Sequence, residues 1–190
     1  METYAAFADS ELILQADLPQ VARQIKTLVD AGDPRTLLVF EFPTGKQIDL
    51  DLRGSLDNVL AAVAATPPKP AESKPRGPGR PKLGVVGREV TLLPRHWEWL
   101  NAQPGGASVA LRKLVEQARR DNQGADRQRQ AREAAFRFMS AIAGNLPGFE
   151  EASRALFAGD RKKFVTATHE WPLDVRDFAH SLAAEGFPGE

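Results

Sequence analysis

Two kinds of residue in this chain have types and spacings suited to chemistry: a few acidic and imidazole side chains, and one dense basic tract. Asp49 and Asp51 alternate along a run of apolar residues, which places two carboxylates on one face of an extended segment, the arrangement of an acid/base or cation-binding pair. Ile48, Leu50 and Leu52 occupy the other face, and no His or Lys stands near in sequence to complete a catalytic set, so the pair reads as the solvent face of an edge hairpin. Glu150, Glu151, His169, Asp174 and His180 supply the same groups later in the chain. Their spacing fits no metal-ligand pattern, and helix caps and packing account for them better. No phosphate loop or nucleophile elbow is present, so no enzymatic activity, catalytic residue, metal or cofactor is expected. The basic tract is Lys74-Pro75-Arg76-Gly77-Pro78-Gly79-Arg80-Pro81-Lys82. Its chemistry is electrostatic: it has no apolar residues to bury, so it acts by touching something else.

Proline sets φ and removes a backbone donor, while glycine permits close approach, so Gly79-Arg80-Pro81 forms a thin extended ribbon bearing one long planar cation. A narrow A·T-rich minor groove has the shape and negative potential to receive it. With Arg76 and Lys82 alongside, these nine residues resemble the AT-hook. The resemblance implies DNA contact by Arg76, Gly79, Arg80, Pro81 and Lys82. The composition alone also suits a semi-rigid spacer between domains.

The elements around this tract fall into segments of different charge. The chain of 190 residues has a formal net charge of zero. Residues 1–65 carry five cations and ten anions, a net of −5, and residues 66–88 carry six cations and one anion, a net of +5. A neutral total therefore does not exclude a polyanion partner, because the local stripe is what attracts phosphates. There is no cysteine, which excludes a disulfide framework and a thiolate metal site, and no apolar run long enough for a membrane span. Met1-Glu2-Thr3-Tyr4 lacks the basic and apolar regions of a signal peptide, and the expected location is the cytoplasm, on the nucleoid.

Residues 3–8 and 11–15 read as a hairpin around Asp9-Ser10. Leu18, Val21, Ile25, Leu28 and Val29 recur at helix spacing behind an Asp17 cap, and residues 36–42 and 47–52 read as strands around Pro43-Thr44-Gly45-Lys46. Ser55 then caps a helix to Ala65. This ββαββα order predicts an acidic α+β domain over residues 1–65, with helices on one face of an antiparallel sheet. A flexible basic linker over 66–87 follows.

Arg88 to Pro94 reads as a short strand, Arg95 to Gln103 as a helix, Pro104-Gly105-Gly106-Ala107 as a break, and Ser108 as the start of a second helix holding Val109, Leu111, Leu114, Val115 and Ala118. Over residues 88–121 this order resembles a ribbon-helix-helix module. That resemblance implies a homodimer in which two such strands pair, with Val90 and Leu92 facing its core and Glu89, Thr91 and Leu93 facing DNA. It also implies DNA contacts from Arg88, Thr91, Arg95 and Ser108, with the amides of Gly106, Ala107 and Val109 holding a phosphate. Glu89 and Leu93 depart from the cations and amides usual on that face, so the tract at 74–82 is expected to supply most of the affinity.

Residues 125–186 read as a bundle of helices, the first beginning near Asp126, with breaks at Pro147, Gly159-Asp160 and Pro172. The series His96-Trp97-Glu98-Trp99-Leu100, Gly105-Gly106-Ala107-Ser108, Leu146-Pro147-Gly148-Phe149-Glu150-Glu151 and Trp171-Pro172 with Asp174-Val175-Arg176 resembles a bacterial family of unknown function. The expected function is binding of A·T-rich DNA as a transcriptional regulator or nucleoid-associated factor. The alternative is an adaptor whose N-terminal domain docks a protein partner, with the basic tract as spacer.

Overall fold

A computed structural model describes residues 3–65 and 88–188. The protein is α+β. β1 (Thr3–Ala8), β2 (Glu11–Ala16), β3 (Leu37–Phe42) and β4 (Lys46–Gln47) form one sheet in the order β2-β1-β3-β4, every neighbouring pair antiparallel. α1 (Leu18–Asp30) begins at Asp17, whose carboxylate accepts from the Gln20 amide at 2.9 Å, satisfying one of the free donors of the first turn. α2 (Leu56–Ala65) packs on α1.

The period-two pattern of β1 and β3 sends alternate residues to opposite faces. Ala6 and Val39 pair in register and meet Val21 and Ile25 of α1. Ala5 pairs with Phe40, and both face the opposite way with Phe7. That second face is covered by helices from the far end of the chain: α4 (Gly106–Ile142), α5 (Phe149–Ala158), α6 (Arg161–Ala167) and α7 (Leu173–Ala183), which leads into a 3-10 turn at Ala184–Gly186. Phe7, Phe40, Phe138 and Phe178 form the centre, with ring centroids 4.8 Å apart for Phe40–Phe138 and Phe138–Phe178. Edge-to-face pairs of this kind add about 0.5–1.5 kcal/mol each beyond their burial.

The chain thus divides into two compact units. Among the described residues, one joins 3–65 with 124–188, and the other holds 88–123. Residues 1–65 and 125–186, read above as separate segments, share one core.

Three elements differ from the sequence expectation. The strand at 47–52 is only Lys46–Gln47 long. The Ile48 amide still donates to the Val39 carbonyl at 2.8 Å, but Ile48, Leu50 and Leu52 then pack against the α1 layer, so their alternation is met by a helix rather than by a ladder. No strand forms over residues 88–93, and the Leu93 carbonyl accepts from the His96 amide at 2.8 Å as the next helix begins. The helix expected to begin near Asp126 is the continuation of α4. Ion pairs at i,i+3 and i,i+4 carry that helix past Gly124, among them Glu116–Arg119 at 2.8 Å, Asp126–Arg129 at 2.9 Å and Glu133–Arg137 at 3.2 Å.

Candidate functional site

Of the residues expected to contact DNA, Arg76, Gly79, Arg80, Pro81 and Lys82 lie outside the described residues. Arg88 and Thr91 are exposed on the segment that leads to α3 (Pro94–Asn101), Arg95 is exposed in the first turn of α3, and Ser108 is exposed in the first turn of α4. Pro94 suits the start of α3, where its missing N–H costs no helix bond. The helix ends at Ala102, and the chain reverses through Gly105 and Gly106, both at positive φ (+87° and +73°). There the Gly106 amide donates to the Gln103 carbonyl at 2.9 Å. Gly106 is therefore spent on the turn and cannot hold a phosphate, which corrects the expected anion site. The amides of Ala107, Ser108 and Val109 remain the first donors of α4.

Leu100 and Ala110 are buried here, while Trp97, Val109 and Leu111 are half-buried. Val90 is 53% exposed, Leu93 49%, Trp99 53%, Leu114 49% and Val115 64%, a large apolar surface for one short segment. Val90, expected to face the core of a dimer, is exposed in the single chain, and Leu92 is half-buried. Glu89, Thr91 and Leu93 are exposed as expected. Arg88, Arg95 and Lys113 have no carboxylate partner among the described residues, whereas Arg119 and Arg120 both pair with Glu116.

The acidic and imidazole candidates are dispersed. Asp49 and Asp51 are exposed, and Asp51 is held by Arg53 through a 2.7 Å bond that lowers its carboxyl to about 2. Asp174 is structural: its carboxylate accepts from the Leu12 amide at 2.9 Å, which fastens the start of α7 to β2. Glu151 pairs with Arg154 on the surface of α5. The His180 Nε2 lies 2.7 Å from the Thr168 hydroxyl, and Thr168 is fully buried. Burial lowers the His180 pKa, helped by the nearby charge of Arg176 and opposed by Asp177. Among the described residues no group of three His, Asp or Glu side chains is placed to hold a metal ion.

A feature without a sequence signal is a cleft of about 520 Å³ between the turn after β3, the distal part of α4 and the end of α7. Its residues come from three distant stretches of chain, so no local spacing marks it.

The described residues comprise an α+β body and a segment in which α3 and the start of α4 are joined by a glycine turn. A family model described as an uncharacterized protein conserved in bacteria, DUF2239, matches residues 3–183, and the chain belongs to that family. Neither the curated proteins nor the solved structures give a match. No helix among the described residues is long and apolar enough to cross a membrane.

Proposed function

We propose that the protein binds A·T-rich duplex DNA as a homodimer, in the manner of a regulator or nucleoid-associated factor. The observation that carries this reading is the concentration of positive charge, six cations against one anion over residues 66–88. The tract at 74–82 leads into Arg88 and Arg95, whose side chains are exposed and have no carboxylate partner among the described residues. Such cations release counterions from phosphates on binding, which gives affinity and a steep salt dependence. Arg76 and Arg80 enter the minor groove, while Arg88, Arg95 and the first amides of α4 touch adjacent phosphates.

The dimer is formed by a second copy of the same segment. Residues 88–93 have no ladder partner among the described residues, and Val90, Leu93, Leu114 and Val115 expose apolar side chains. Two copies pairing antiparallel satisfy both demands at once.

The test is a gel-shift titration of the full chain on A·T-rich and G·C-rich duplexes at two salt concentrations. Replacing Arg76 and Arg80 with Ala is expected to weaken A·T-rich binding and to reduce the salt slope by about 2, since each lost phosphate contact removes about 0.9. Unchanged affinity and slope overturn the reading. Light scattering is expected to give twice the chain mass, and Val115→Lys to halve it.

A further inference from the structure

The cleft on the α+β body has a built wall, an apolar floor and two exposed charges of opposite sign with no protein partner among the described residues. The wall is the turn after β3, pressed onto α4. Gly45 has φ +65°, and a Cβ there would lie 2.1 Å from the Ala134 carbonyl oxygen, so backbone meets backbone with no side chain between. Arg137 secures the same contact: its Nη1 donates to the Thr44 carbonyl at 3.0 Å and its Nη2 pairs with Glu133 at 3.2 Å. These two charges neutralise each other and serve the wall. Phe42, Pro43 and Leu182 supply apolar lining.

Arg127 and Glu185 also line the cleft, and they are different. Neither side chain has a hydrogen-bond or ion-pair partner among the described residues, and the two do not pair with each other. Neighbouring arginines on α4 do have partners. Arg129 pairs with Asp126 at 2.9 Å, and Arg132 donates to the Gly186 carbonyl at 2.5 Å. Gln130, one helical turn from Arg127, likewise keeps its amide free among the described residues and faces the cleft.

We propose that this cleft binds a small zwitterion with an apolar body, of the class of free amino acids with large apolar side chains. The carboxylate meets the Arg127 guanidinium, the ammonium meets the Glu185 carboxylate, and the side chain lies over Phe42, Pro43 and Leu182. A volume of about 520 Å³ falls in the range of small-molecule sites, which combine mostly apolar walls with a few polar groups that fix orientation. A ligand with a single charge leaves either Arg127 or Glu185 unmatched. A zwitterion matches both through charge-assisted hydrogen bonds.

The test uses the full chain, labelled for amide NMR, titrated separately with L-phenylalanine, L-leucine, 3-phenylpropanoate and phenethylamine. L-phenylalanine or L-leucine is expected to shift the amide signals of Arg127, Gln130 and Leu182 saturably. 3-Phenylpropanoate and phenethylamine, which each lack one charge, are expected to bind about tenfold more weakly or worse. Arg127→Gln and Glu185→Gln are each expected to weaken amino-acid binding about tenfold. Their melting temperatures should stay unchanged, because both side chains are exposed. The proposal is overturned if neither amino acid shifts these signals saturably, if a singly charged analogue binds as tightly, or if either variant binds like the parent.

Discussion

The α+β body and the segment from 88 to 123 contain the same kinds of apolar side chain and treat them in opposite ways. In the body, Phe7, Phe40, Phe138 and Phe164 are at most 1% exposed, each covered by residues from another element of the same chain. In the segment, only Leu100 and Ala110 are buried among the described residues, and Val115 at the helical spacing of a packing face is 64% exposed. The body is complete within one chain. The segment has the pattern of a core without enough mass to close one, the situation in which small elements gain stability by association.

The contrast is broken most severely by removing a ring from the body's centre. Phe138→Ala should cost about 3–5 kcal/mol, read from urea unfolding followed by far-UV circular dichroism. Leu114→Ala, half exposed on the segment, should leave that transition nearly unmoved in dilute monomer and lower the concentration-dependent part of the stability instead. Equal losses for the two would erase the distinction between a closed and an open region.

Gly45→Ala probes the fit of the turn on α4. The positive φ alone should cost about 1 kcal/mol or more, and the approach to the Ala134 carbonyl adds to it. Gly106→Ala has the same positive φ with nothing within 4 Å of its Cβ, so it should cost less. Thermal unfolding of the pair separates strain from contact.

A smaller effect is expected from pH. His180 has a lowered pKa in the folded state, so the unfolded chain takes up its proton first as pH falls below about 6.5. The contribution of neutral His180 is therefore full above that value. It declines as pH drops through the unfolded pKa toward the depressed folded one. Urea midpoints at pH 7.5 and pH 5 should differ less in His180→Gln than in the parent. The smallest change is expected at Asp51→Asn, where the pair with Arg53 is exposed; an unaltered melting temperature is the prediction.

Features that rest on a few adjacent residues are legible in the sequence. Asp17 as the cap of α1, Asp9-Ser10 as a hairpin turn and Gly159-Asp160 as a stop and restart all appear where local chemistry places them, because φ preference and a short-range hydrogen bond decide such positions. The alternation over 47–52 does not give a full strand, because it records which residues are buried and not what buries them. The break before Asp126 was misread because helix-spaced ion pairs outweigh one tolerated glycine. The cleft with Arg127 and Glu185 left no trace, since its parts stand far apart in the chain and only their lack of partners makes them notable.

The sequence by itself determined the α+β class, the order of strands and helices up to Ala65, and the presence of a basic tract without apolar side chains, because periodicity, caps and composition act over a few residues. Tertiary structure decided that the two ends of the chain share one core around Phe7, Phe40, Phe138 and Phe178. It also decided that the Asp174 carboxylate accepts from the Leu12 amide of β2, and that Arg127 and Glu185 open onto one cleft. The physical reason is that burial and charge pairing depend on which distant surfaces meet. That meeting is settled by packing the whole chain at once, and no local window contains it.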